Sequence, residues 1–174
     1  LVITKPTVVE AMLDRVGYLS DVDLHHTRVI EPAAGDGAFV MAIIDRLYAS
    51  SKQFHFSFQK ALTNLTCYEV EEAMAQRLIT RVTRRLLTYE AELPDGLVQV
   101  SDFLLATPTP AHLIIGNPPY VRHEHIPSWH KEQYRKAFAT FRHRSDLYIA
   151  FYEQGLKTLR PGGTLSFICS NRWL

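Results

Sequence analysis

The chain has 174 residues, 47% of them hydrophobic and 21% charged, with a formal net charge of +1. That size and balance support one domain with its own core and exclude a disordered chain. No apolar run is long enough to span a membrane as a helix, and no secretory signal opens the chain.

The chain starts at Leu1 and stops at Leu174, which reads as a fragment of a longer protein. Residues 7–16 carry apolar side chains at helical spacing (Val8, Val9, Met12, Leu13, Val16), with Gly17 as a stop. Residues 28–30 form a short buried strand that ends at Glu31. Gly35-Asp36-Gly37 makes a turn into a helix over residues 38–48. The polar and aromatic connector 50–61 has no assignable structure. A second strand over 65–68 ends at Glu69 and precedes a helix reaching about residue 87. After the Pro94-Asp95-Gly96 turn come a third strand, 97–100, ending at Ser101-Asp102, and a fourth, 112–115. The fourth ends at Asn117-Pro118-Pro119-Tyr120. A helix over 146–159, a turn at Arg160-Pro161-Gly162-Gly163 and a fifth strand over 165–169 complete the chain.

Strands alternating with helices predict an α/β fold with a parallel sheet and right-handed crossovers. Ligands in such sheets sit beyond the carboxyl ends of the strands. Glu31, Glu69, Asp102 and Asn117 each follow an apolar strand, and so converge on one site. The two cysteines, Cys67 and Cys169, fall inside apolar runs without a CxxC partner, which predicts core thiols in a reducing, cytoplasmic setting.

In the string Glu31-Pro32-Ala33-Ala34-Gly35-Asp36-Gly37, small residues permit close approach of a ligand to the backbone. A dinucleotide loop would need a third glycine, and position 40 is Val. An acid at the strand end suits a cation or amine, such as the ammonium group of S-adenosylmethionine. Glu69 suits the two hydroxyls of a ribose. Asp102 suits an adenine amino group, with Phe103 beside the ring, or equally the cap of a turn.

In Asn117-Pro118-Pro119-Tyr120, the Asn oxygen and the Pro118 carbonyl can both accept hydrogen bonds from one exocyclic NH2 group. Holding both N–H bonds favours a pyramidal nitrogen and aims its lone pair at a methyl donor. Tyr120 offers an aromatic face to a base turned out of a duplex. Carbon methylation of cytosine would need a nucleophilic Cys, and neither cysteine has that context.

Two basic clusters accompany these strings: Arg77, Arg81, Arg84 and Arg85 on one helix, and Arg122, Lys131, Arg135, Lys136, Arg142 and Arg144 after residue 120. His123, His125, His130 and His143 lie among the second. Either cluster suits a phosphate backbone or a solvated surface. The histidines lack the Cys or carboxylate of a familiar metal set, so no metal site is expected.

The strings from Glu31 to Phe39 and from Ile115 to Arg122 resemble those of gamma-order adenine-N6 DNA methyltransferases of type II and type IIG restriction–modification systems and related phage-defence methylases. Thr4-Lys5-Pro6, Tyr68-Glu69-Val70, Ser101-Asp102-Phe103 and the stretch from Asp146 through Gly163 to Asn171 extend the likeness over nearly the whole chain.

The resemblance implies a class I S-adenosylmethionine-dependent, Rossmann-like sheet with helices on both faces, lacking its last two strands. It implies that Thr4 and the loop Glu31, Pro32, Ala33, Ala34 and Gly35 hold the methionine part of the cofactor. Glu69 would take the ribose, Asp102 the adenine amine, and Phe103, Pro119 and Phe151 would also border the cofactor. Asn117, Pro118 and Tyr120 would handle the target base in double-stranded DNA. Lys5 stands where that family often has Pro.

A target-recognition domain would follow residue 174, and a restriction endonuclease would be fused or associated. The fifth strand would then present an uncovered edge, prone to pairing or association. The same NPPY chemistry serves methyltransferases of protein glutamine or ribosomal RNA guanine. A non-catalytic module of a DNA-binding complex is a further reading.

Overall fold

Apolar residues alternate along the inner strands, and each parity faces a separate core. The computed structural model describes residues 4–142 and 145–169. Val29, Leu65, Cys67, Leu113 and Ile115 point to one side of the sheet, and Ile30, Tyr68 and Ile114 to the other. A strand buried on both faces must be covered by helices on both faces.

The elements are α1 (Pro6–Arg15), β1 (Val29–Glu31), α2 (Ala38–Phe54), α3 (Phe58–Ala61), β2 (Leu65–Glu69) and α4 (Glu72–Leu87). They continue with β3 (Val98–Val100), β4 (Ala111–Gly116), α5 (Ser128–Ala137), α6 (Leu147–Thr158) and β5 (Leu159–Phe167). The strands pair in parallel in the order β3-β2-β1-β4-β5. The order reverses at β1, so the crevice between the ends of β1 and β4 is the expected ligand position. Val9 and Leu13 of α1, Ile43 and Leu47 of α2, and Leu78 and Val82 of α4 close one core. Tyr134 of α5 and Ala150 and Phe151 of α6 close the other.

Four local departures from the sequence reading have physical causes. The connector 50–61 is mostly helical: α2 runs on to Phe54 and stops where His55 takes a left-handed conformation, with φ 56°. α3 then begins under a cap in which the Ser57 hydroxyl accepts from the Lys60 N–H at 3.3 Å. α5 was not anticipated, because only Tyr134 in its sequence SWHKEQYRKA is buried and no apolar period marks it.

The turn 160–163 lies inside β5. Leu159 pairs with Ala111, pairing resumes at Thr164 opposite Leu113, and the residues between bulge out with Gly162 at φ 78°. β5 ends at Phe167 rather than 169, although the Ile168 N–H still donates to the Gly116 carbonyl at 3.0 Å. Cys169 is exposed beyond that end and is not a core thiol; Cys67 is buried. The predicted site string extends to Asn171, which with His143 and Arg144 lies outside the described residues. Among the described residues, no helix is long and apolar enough to cross a membrane.

The turn into α2 depends on Gly37. Its φ is 86°, and a Cβ there would stand 2.4 Å from Leu78 Cδ1. Gly37→Ala combines a left-handed non-glycine residue with a clash against α4. We expect it to destabilise the fold by about 1–3 kcal/mol, read as a lower midpoint in urea with an unchanged slope.

Candidate active site

The loop after β1 is built on backbone hydrogen bonds that tie the end of β1 to that of β2. The Ala34 N–H donates to the Tyr68 carbonyl at 2.8 Å, and the Gly37 N–H to the Ala34 carbonyl at 2.8 Å. Glu69 clamps the loop from the side: its Oε2 accepts from the Gly35 N–H at 2.9 Å and its Oε1 from the Glu71 N–H at 2.8 Å. Each carboxylate oxygen keeps further acceptor capacity for hydroxyls of a ligand.

A cavity of about 390 Å³ opens above these strand ends. That volume matches a small-molecule site. Its walls contain all the residues singled out from sequence: Thr4, Glu31, Pro32, Ala33, Ala34, Gly35, Glu69, Asp102, Phe103, Asn117, Pro118, Pro119, Tyr120 and Phe151. Phe103 lies near-parallel to Phe151 at 6.0 Å between ring centroids, and Tyr68 meets Phe103 edge-on at 5.4 Å. Together they form an aromatic wall beside Asp102. At the other end Tyr120, 37% exposed, meets Tyr148 edge-on at 6.4 Å.

Among the described residues, side-chain oxygens of two polar groups in the cavity stand out. Both carboxyl oxygens of Glu31 are buried without a hydrogen bond of good geometry, and so is Asn117 Oδ1. Burial pushes the Glu31 carboxyl well above the usual carboxylate range; the Ala33 N–H opposes this, and negative charge on Asp36 and Glu69 adds to it. Gly116 makes this placement possible, since a Cβ at that position would stand 2.2 Å from Glu31 Oε1. Glycine at the end of β4 thus lets the acid lie against the backbone that leads into Asn117. The Asn117 Nδ2 donates to Thr4 Oγ1 at 3.2 Å, and this turns the amide oxygen away from Thr4.

The turn-cap reading of Asp102 holds, and the residue also lines the cavity. Its Oδ1 accepts from the Leu104 N–H at 2.9 Å. Its Oδ2 accepts from the Tyr134 hydroxyl at 2.6 Å. Burial and this bond to Asp102 keep the phenol protonated by pushing its pKa up. Tyr134 belongs to the unanticipated α5; its isolated position in a polar helix was the only available signal.

The two basic clusters differ. Arg81 bonds the Asp36 carbonyl, and Arg85 meets Asp45 at 2.5 Å, so these two tie α4 to α2 and its preceding loop. Arg77 and Arg84 are exposed. In the second cluster Lys136 pairs with Glu132 one helical turn away at 2.9 Å. Arg135 approaches His123 at 3.3 Å, and Arg122 and Arg142 are exposed.

This strand order, with a cavity over the β1–β4 crevice, is the class I S-adenosylmethionine-dependent methyltransferase fold. An S-adenosylmethionine-dependent O-methyltransferase from Thermotoga maritima superposes with a TM-score of 0.57 at 12% identity, covering 99% of this chain and 47% of that one. The Type ISP restriction–modification enzyme LlaBIII, solved bound to DNA, gives 0.66 at 15% identity over 98% of this chain and 15% of that one. Residues 49–174 match the Eco57I restriction-modification methylase model, and the chain belongs to that family. The type II methyltransferase M.XhoI of Xanthomonas vasicola is 39% identical over 99% of this chain, which spans 34% of that relative's length.

An acid whose pKa is higher in the folded chain makes the native state retain a proton that the unfolded state has lost. Stability from Glu31 is therefore fully present below its unfolded pKa and falls as pH rises towards the native value, by about 1.4 kcal/mol per pH unit in that window. We expect thermal melts of the ligand-free protein to show this decline, and Glu31→Gln to flatten it. An equal decline in the variant would contradict the assignment.

Proposed function

We propose that this chain is the cofactor-binding and catalytic part of a DNA methyltransferase that methylates the exocyclic amine of adenine within a restriction–modification system. The observation that carries this reading is the pair of unpartnered buried acceptors, Glu31 and Asn117 Oδ1, in one cavity. Such groups are costly unless a ligand completes them. The first calls for a cation and the second for an N–H donor. S-adenosylmethionine and an adenine amine together supply both.

In this reading Glu31 receives the ammonium group, with the Pro32–Gly35 backbone around the amino-acid end. Glu69 receives the ribose hydroxyls. Asp102, oriented by Tyr134 and Leu104, receives the purine amine, and Phe103 and Phe151 flank that ring with Pro119 nearby. The bound cofactor supplies an electrophilic methyl group on a sulfonium.

Asn117 Oδ1 and the Pro118 carbonyl accept the two N–H bonds of the target amine, and Tyr120 supports the extruded base by its ring face. These acceptors hold the nitrogen lone pair in line with the methyl carbon and stabilise the charge that grows on nitrogen. Bound there, the cofactor would supply its methyl group to this nitrogen and would leave with the electron pair of the broken S–C bond. The extra proton on nitrogen leaves to solvent afterwards. Neither Cys67, buried in β2, nor the exposed Cys169 is among the residues that line the cavity, which favours amine over carbon methylation.

The relative from Xanthomonas vasicola is about three times as long, which supports a parent protein with further parts, including a target-recognition domain and an associated nuclease. The LlaBIII likeness, and the exposed Arg122 and Arg142, support duplex DNA as partner.

The test is transfer of labelled methyl from S-adenosylmethionine by the full-length parent to duplex DNA, RNA or protein, followed by product analysis. We expect N6-methyladenine in DNA. Label in RNA, in protein, or as a methylcytosine would contradict the proposal. Asn117→Ala should lower turnover by about 100-fold or more while calorimetric cofactor affinity changes little. Asp102→Ala should instead clearly weaken cofactor binding.

A further inference from the structure

The catalytic amide is turned by its neighbour. Asn117 can serve an NH2 group only if its oxygen, not its nitrogen, faces the cavity. The side chain's one direct partner bond, Nδ2 to Thr4 Oγ1 at 3.2 Å, gives that orientation. A threonine hydroxyl, however, both donates and accepts. By rotating its proton towards Asn117, Thr4 would equally satisfy the flipped amide, whose nitrogen would then repel an amine. Thr4 alone therefore does not fix the orientation.

A third group can. Thr4 borders the same cavity as Glu31: Thr4 bonds Asn117, Asn117 follows Gly116, and Glu31 Oε1 occupies the space that a Cβ at Gly116 would need. An amino acid whose ammonium rests on Glu31 carries its carboxylate on the same carbon, inside the cavity that Thr4 also lines. A carboxylate has no proton to give. Thr4 must then donate to it and can present only lone pairs to Asn117. Only the Nδ2 end of the amide fits against those lone pairs, and Oδ1 is left aimed into the cavity.

We propose that Thr4 is a positioning residue that makes the base-gripping orientation of Asn117 conditional on the cofactor's carboxylate. The proposal rests on the cofactor and base assignments above. It gives the site an order: the cofactor's amino-acid end sets the acceptor before the amine is gripped. No covalent step is involved, only the choice between two amide orientations.

The test reads base recognition, not turnover. The full-length protein is titrated with a duplex containing its own methylation site, mapped beforehand as N6-methyladenine in host DNA. The target position carries either adenine or purine, which lacks the 6-amino group. The ratio of the two Kd values reports the grip on the amine. With S-adenosylhomocysteine at saturation, we expect adenine to be preferred by roughly tenfold, the span of one or two hydrogen bonds.

With the analogue that lacks the carboxylate but keeps the amine, the preference should fall towards unity. Thr4→Val should show that low preference with either analogue, and Thr4→Ser should retain the wild-type pattern. The comparison of analogues on the wild-type protein needs no variant, so a poorly folding Thr4→Val leaves the proposal exposed. Equal preference with both analogues, or an undiminished preference in folded Thr4→Val, would overturn it. Failure of S-adenosylhomocysteine to bind at all would instead defeat the cofactor reading itself.

Discussion

The buried carboxyl of Glu31, at the end of the central strand, with the Ala33 N–H beside it but no hydrogen bond of good geometry among the described residues, is the constraint around which the site is arranged. A lone acid in such a place is costly when charged, and its raised pKa expresses that cost. The chain accommodates it through particular residues. Gly116 removes the side chain that would collide with it, and the small residues of the Pro32–Gly35 loop leave room above it. An unpaired buried group that the surrounding structure goes to such lengths to retain marks a place where a ligand completes the fold's polar pairing.

The other polar groups of the cavity are tied to protein before any ligand arrives. Glu69 holds Gly35, Asp102 is held by Leu104 and Tyr134, and Asn117 leans on Thr4. These bonds orient side chains that come from three strand ends and from the segment before α1. The sheet supplies the spacing, because parallel strands in register bring Glu31, Glu69 and Asn117 to one edge. Glu69 and Asp102, held in this way, have little reorganisation left to perform when a ligand enters.

Much of this was legible in the sequence because the signals were local. A strand buried on both faces reads as a short apolar run, and the polar residue that ends it marks the ligand side of the sheet; Glu31, Glu69 and Asn117 were found by that rule. The Gly35-Asp36-Gly37 turn was legible because both glycines have positive φ. What was not legible depended on partners distant in sequence. α5 buries only Tyr134, whose role is set by Asp102, 32 residues earlier. The bulge 160–163 reads as a simple turn until the strand beside it is known. The double role of Asp102 is likewise a matter of tertiary contacts. Cys169 was misread because an apolar neighbourhood in sequence did not become a buried one in space. Nor did the spacing of the α4 arginines reveal that two of them are anchored to Asp36 and Asp45.

The most direct test of the central claim is to count protons on ligand binding. A carboxyl kept protonated by burial must ionise when an ammonium group settles against it, and the proton leaves to the buffer. Calorimetric titration of the protein with S-adenosylmethionine, in two buffers of different ionisation enthalpy at mildly acidic to neutral pH, reads that proton as a difference in apparent heat. The account predicts net proton release that disappears in Glu31→Gln. Binding of the cofactor with equal heats in both buffers, or release that persists in the variant, would contradict it.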